Sequence, residues 1–194
     1  MSSSTRSYWM FGGVAAVVAV AIIVAVTVSS GGSDENQTTA NGGTSPSHEI
    51  GQVEVAGEAL PTYVKATTDP AVGSAVPALS GISVLDGSKM QIKPGDKPMV
   101  IAFLAHWCPH CQRELPLLVS AAKTGALDGI DVYAVATGTD ADYPNYPPSA
   151  WLEREHWPFP AMADTRQFVA ARAFGLPSYP YLVFVDALGK VAGR

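Results

Sequence analysis

Met99-Val100-Ile101-Ala102-Phe103-Leu104-Ala105-His106-Trp107-Cys108-Pro109-His110-Cys111 is the stretch that decides how this chain folds. Its first seven residues are continuous, apolar and few, which predicts a buried strand. The run from Gln112 to Lys123 predicts a helix. The two cysteines, the only ones in 194 residues, therefore sit at a strand-to-helix turn. Cys108 stands at the helix mouth, and Pro109 takes a first-turn position where its missing N–H does no harm. Unpaired N–H groups and the helix dipole favour negative charge there, so a Cys108 thiolate is stabilised. Cys111, one turn further in, is close enough to close a disulfide with it. An exposed, acidic thiol beside a buried one is what thiol–disulfide exchange needs. In that chemistry Cys108 attacks or is attacked, and Cys111 resolves the mixed disulfide.

Other uses of the pair are weighed against this one. A structural zinc site needs four ligands, and there is no second cysteine pair, although His106 and His110 could complete a Cys/His set. Both histidines are equally explained as neighbours that tune the thiolate. Haem attachment needs His directly after the second cysteine, where Gln112 stands. A purely structural disulfide would close too short a loop to stabilise much. A copper-binding module using Cys108, Cys111 and a histidine stays as the rival class.

Outward towards the N-terminus, Tyr8 to Val28 carries no charge and is almost wholly apolar. At about 1.5 Å per residue it spans roughly the 30 Å of a hydrocarbon core. Arg6 precedes it, while Asp34 and Glu35 follow, so residues 1–7 are expected in the cytoplasm and the rest outside. A cleaved signal peptide is the rival, but its apolar core is normally only about 7–15 residues and an Ala-x-Ala site is missing. Residues 29–48 are Gly, Ser, Thr and Asn with few apolar residues, a flexible tether with His48 solvated in it. A globular domain is expected over residues 49–194, its core from about residue 73. Net charge is −5 with no basic patch, which argues against a nucleic-acid partner.

Within that domain, residues 50–76 read as an irregular lead-in with one short strand. Leu85-Asp86-Gly87-Ser88 between alternating apolar residues predicts a hairpin over residues 82–92. Pro116 inside the helix should kink it, and Gly125 should end it. Residues 130–136 predict the next strand, and strand–helix–strand order predicts a parallel crossover. Thr137 to Pro148 is a long, proline-rich loop, either a rim element of the site or a surface excursion. Ser149 is an expected N-cap of a helix through Trp157, and Asp164 of a helix over residues 165–174. A strand over residues 182–185 and a final short one from Val191 complete the pattern.

From about Gly73 to Arg194 the chain resembles the thioredoxin superfamily, specifically the membrane-tethered TlpA/ResA-like thiol–disulfide oxidoreductases. The resemblance is carried by Trp107-Cys108-Pro109-His110-Cys111, by Glu114 and Pro116, and by a proline before the penultimate strand. It implies a three-layer α/β/α sandwich with an N-terminal β-hairpin, preceded here by one membrane helix. It also implies a cis-proline facing the disulfide, six residues before a strand-ending Asp, hence Pro180 counted back from Asp186. The backbone of Tyr179 would then meet an incoming peptide, with Trp107 shaping the same docking surface. Glu114 would relay protons or adjust the buried thiol. The implied partners are cysteine-containing extracytoplasmic proteins and a membrane or thioredoxin-like redox partner, with no organic cofactor.

Three departures stand out. Ala102 occupies the place of a buried Asp found in many thioredoxins. The Pro109-His110 dipeptide resembles the strongly oxidising DsbA type, in which His110 as a cation or donor favours the reduced form and so makes an oxidant. The branch resemblance instead implies a reductant, including in cytochrome c maturation. Lastly, the family's closing helix after the final strand has no counterpart before Arg194, so either a fragment or a domain with one face less covered is expected.

Overall fold

The computed structural model describes residues 48–194. The expected membrane span at residues 8–28 and nearly all of the tether lie outside them. Among the described residues no helix is long and apolar enough to cross a membrane.

The centre of the domain is strand β4, Met99–Leu104, buried at all six positions. Strand β5, Asp131–Ala136, lies parallel to it with Met99 opposite Asp131 and Leu104 opposite Ala136. Helix α1, Pro109–Lys123, makes the crossover between them and runs through Pro116 as one helix. Strand β7, Tyr181–Val185, pairs antiparallel on the other side of β4. Strands β6, Ala161–Ala163, and β8, Val191–Gly193, close the edges, giving the order β6-β5-β4-β7-β8.

A second sheet, β1-β2-β3, comes from the lead-in: β1 is Glu54–Ala56, β2 Ala78–Ile82 and β3 Lys89–Ile92. The last two form the expected hairpin, Leu79 opposite Ile92. Gly87 supplies the positive φ of its turn. His48 is half-buried against that turn rather than solvated: a side chain at Gly87 would meet the His48 Cβ at 3.3 Å.

Alternation along β4 makes two cores. Met99, Ile101 and Phe103 join Val135, Val183 and Phe174, together with Leu79 and Ile92 of the hairpin. Ala102 and Leu104 join Leu115 and Val119 of α1, and Trp151 and Leu152 of helix α2, Pro148–Arg154. Period-2 alternation in a central strand thus sorts α1 and α2 to one face and the hairpin sheet, with residues 170–174, to the other. The result is a thioredoxin-like α/β fold.

Two helix expectations need correction. Ser149 does not cap α2; it lies inside the first turn, and the helix ends at Arg154, three residues before Trp157. The cap comes from far away in sequence. The carboxylate of Glu49, only 2% exposed, accepts the Ser149 N–H at 3.1 Å and the Ser149 hydroxyl. Helix α3 is also shorter than expected, Val169–Ala173. Asp164 still serves it: its carboxylate accepts the N–H groups of Thr165, Ala170 and Ala171 and the hydroxyl of Thr137. Reaching Ala170 and Ala171 from Asp164 leaves Phe168 in the left-handed region, φ 59°, so a regular helix cannot pass through it.

Candidate active site

Each cysteine is positioned by an element that its own neighbours dictate. Cys108 is the N-cap residue of α1, with extended φ and ψ of −74° and 119°, and Pro109 stands at the start of the helix. Its carbonyl accepts the Gln112 N–H, closing the first turn. Cys111, one turn on, points into the core beside Ala102 and Leu115 and is fully buried. The Ala105 N–H donates to its Sγ at 3.4 Å.

Burial pushes the Cys111 thiol up to about 12, and the nearby Cys108 and Glu114 charges act in the same direction. Ala102, in the same cluster, offers that proton no acceptor. Glu114, half-buried on α1, is near enough to be felt by that sulfur. Both cysteines are free thiols and both are buried, Cys108 at 6% exposed, so the exposed thiol expected at the helix mouth is instead covered.

The Tyr179–Pro180 peptide bond is cis and precedes β7. The Tyr179 carbonyl faces Cys108, whose Sγ donates to it at 3.7 Å, across 71 residues of sequence. Trp107 lies against the Tyr179 ring edge-on at 5.8 Å and against Tyr143 at 5.3 Å. Its indole N–H donates to the Gly138 carbonyl at 2.7 Å. Trp107, Tyr143, Phe168 and Tyr179, with Thr139 and Arg166, line a groove of about 460 Å³ that shares Tyr179 with the Cys108 contact. The 137–147 loop is therefore a wall of the site.

The two histidines do different things from each other. His110 is exposed on α1, and the Arg113 guanidinium donates to its Nδ1 at 2.8 Å. A nitrogen that accepts carries no proton, so the formal cation of this pair is Arg113, which the sequence reading did not single out. His106 is buried and turned away from both sulfurs: Nδ1–H donates to the Pro144 carbonyl at 2.8 Å, and Nε2 accepts the Asp140 N–H at 3.3 Å. Cys108, Cys111 and a histidine therefore do not converge as a ligand set. Among the described residues no three Cys, His, Asp or Glu side chains cluster to hold a metal ion.

Residues 72–194 match the AhpC/TSA family. The chain belongs to this family. The methylamine utilization protein MauD of Methylobacillus flagellatus is 29% identical over 129 residues, 64% of this chain and 57% of MauD. Thiol-disulfide oxidoreductase ResA of Geobacillus thermodenitrificans is 29% identical over 125 residues, 64% of this chain and 68% of ResA. The chain thus spans little more than half of the first relative's length. A crystal structure of a thiol:disulfide interchange protein, a thioredoxin family protein of Chlorobium tepidum, superposes with a TM-score of 0.51 at 26% identity. It covers 62% of this chain and 83% of its own.

Proposed function

We propose that this protein is a thiol–disulfide oxidoreductase, anchored in the cell membrane by residues 8–28 and working on cysteine-containing proteins outside the cytoplasm. The observation that carries the chemistry is the asymmetry of the pair: Cys108 caps α1 facing the Tyr179 carbonyl, while Cys111 is fully buried behind it with its proton held. In the oxidising direction, a substrate thiolate attacks Cys108 Sγ of the Cys108–Cys111 disulfide, and Cys111 leaves and takes a proton. The second substrate thiolate then attacks the first substrate sulfur, displacing Cys108 as thiolate. Two electrons pass from substrate to protein and the substrate gains one disulfide. The reverse sequence reduces a substrate disulfide.

Cys108 is the nucleophile and Cys111 the resolving thiol. Pro109 shapes the turn, Glu114 is an acidic group whose charge reaches the buried sulfur, and Trp107, Tyr179 and Pro180 form the docking surface. His110 and Arg113 bring polar and positive groups to the mouth of α1, which favours the reduced, thiolate form and hence the oxidant direction. A membrane or thioredoxin-like partner would restore the spent pair.

Equilibration with glutathione tests direction and activity together. A potential near about −120 mV is expected of an oxidant, and one near about −270 mV reassigns the protein as a reductant. Cys108→Ser should abolish exchange, whereas Cys111→Ser should accumulate the mixed disulfide on Cys108. Undiminished turnover in Cys108→Ser would remove the proposed chemistry.

A further inference from the structure

His106 is two residues before the nucleophile, 1% exposed, and takes no part in the exchange chemistry above. Everything it touches belongs to the loop that walls the groove, or braces that loop. Its ring nitrogens bridge Asp140 and Pro144, with Nδ1 donating and Nε2 accepting. Its carbonyl accepts from Asn145 Nδ2 at 3.2 Å and from Gln112 Nε2 of α1 at 3.0 Å. Asn145, in the left-handed region at φ 63°, is held in turn by Arg154 at 2.7 Å. The Tyr146 ring stands edge-on to the imidazole at 5.9 Å. Between the two ring contacts, at Asp140 and Pro144, the loop presents Tyr143, 52% exposed, to Trp107 and the groove.

We propose that His106 is a positioning residue whose neutral ring clasps the 139–146 loop in place, so that the Tyr143–Trp107 wall of the docking groove is formed at neutral pH and released in acid. The inference rests on the exchange activity proposed above and adds to it a pH-dependent docking step.

The mechanism follows from donor counting. Neutral imidazole with its proton on Nδ1 satisfies both partners at once. A second proton turns Nε2 into a donor facing the Asp140 N–H, so that contact is lost while the Pro144 bond survives. Burial lowers the His106 pKa from its usual range. The groups opposing this are the Pro144 carbonyl and the carboxylates of Asp140 and Glu49, which favour the charged ring, whereas the Asp140 N–H, as donor to Nε2, favours the neutral one. Arg154 reaches Asn145, one residue removed, and pairs with Glu155 at 3.7 Å. The net direction keeps the ring neutral at pH 7 and places release below about pH 6.5, the ordinary histidine value.

Two variants separate clasp from mere packing. His106→Ala removes both ring contacts. His106→Gln keeps a donor and an acceptor on one planar group and stays uncharged at every pH. The assay is steady-state oxidation of a reduced two-cysteine peptide, with oxidised glutathione recycling the protein. With KM counted as substrate thiolate, the form that attacks, wild-type KM should rise about tenfold between about pH 7.5 and pH 5, the size of one lost hydrogen bond. His106→Ala should carry the high KM at both pH values. His106→Gln should restore the low KM at neutral pH and hold it in acid.

Amide hydrogen exchange at Asp140 reads the same clasp without any turnover. Protection should be lost in His106→Ala, kept in His106→Gln, and lost in the wild type only in acid. Equal Asp140 protection in all three proteins, or an acid rise in KM that persists in His106→Gln, overturns the proposal. A wild type that oxidises no peptide while Asp140 protection follows the expected pattern sinks the assigned activity and leaves the clasp standing.

Discussion

Beside the groove, His106 ties the redox turn to a loop 38 residues away with neutral groups alone; beyond the β8 edge of the sheet, Arg194 ties the end of that strand to the lead-in with a buried ion pair. The Arg194 and Asp69 side chains are 0% and 2% exposed. The guanidinium also donates to the carbonyls of Pro61 at 2.8 Å and Phe174 at 3.1 Å, and lies over the Tyr63 ring. Arg194 holds the Asp69 carboxyl below its ordinary range. The difference is one of strength against reversibility. Removing one member of a buried pair strands the other charge, so the far knot resists any change of condition within the working range. A neutral imidazole can be switched by one proton at little cost, which suits a wall that a partner must approach.

Breaking the far knot should have the largest effect. Arg194→Ala or Asp69→Ala is expected to cost about 3–5 kcal/mol of unfolding free energy in urea titrations, with exchange by the folded fraction unchanged. Because the Asp69 pKa is lowered in the fold, the pair's contribution is present above about pH 3.9, the unfolded value, and fades as pH falls below it. A loss under about 1 kcal/mol would make the pair a surface-like contact and erase the contrast.

The buried thiol sharpens the comparison from the alkaline side. Folded Cys111 keeps its proton up to about 12, whereas an unfolded cysteine loses it near about 8.5. Between those values the folded reduced protein binds more protons, so its stability is full below about pH 8.5 and falls as pH rises, by up to about 1.4 kcal/mol per unit. The disulfide form has no such thiol and should show no such slope. Parallel denaturant curves for the two redox forms check this; equal slopes would mean that the Cys111 sulfur is not desolvated.

The smallest effect is expected at Phe168, where the backbone is left-handed and the ring lines the groove. Phe168→Ala loses the ring and keeps the strain, while Phe168→Gly loses both. The glycine variant should therefore be the more stable of the two by about 1 kcal/mol in thermal or denaturant unfolding. The reverse order would show that residue 168 leaves the left-handed region once the ring is gone.

Elements whose signal is local were legible. The apolar run of β4, the turn residues of the hairpin and the cysteine spacing each specify their structure through neighbours in sequence, and all three lie as expected. Strand β6 was not foreseen, because three residues between Pro160 and Asp164 carry no periodicity; its pairing with β5 makes it a strand. Glu49, read as the first residue after a tether, proved to be the cap of a helix 100 residues on. His106 was read as a tuner of thiols or a metal ligand, since chain proximity to Cys108 suggests both. Its side chain points the other way, and only the fold of the 137–147 loop shows why.

By itself, the order of residues determined that a strand feeds a cysteine-capped helix, and that one sulfur therefore sits at a helix mouth while its partner enters the core, since both follow from periodicity and spacing over a few turns. Tertiary structure alone decided what surrounds that pair. The Tyr179 carbonyl, the Tyr143 wall, the Glu49 cap and the Asp69–Arg194 knot join segments 38 to 125 residues apart, and contacts at such separation are selected by packing and by the need to satisfy buried polar groups, neither of which leaves a local trace.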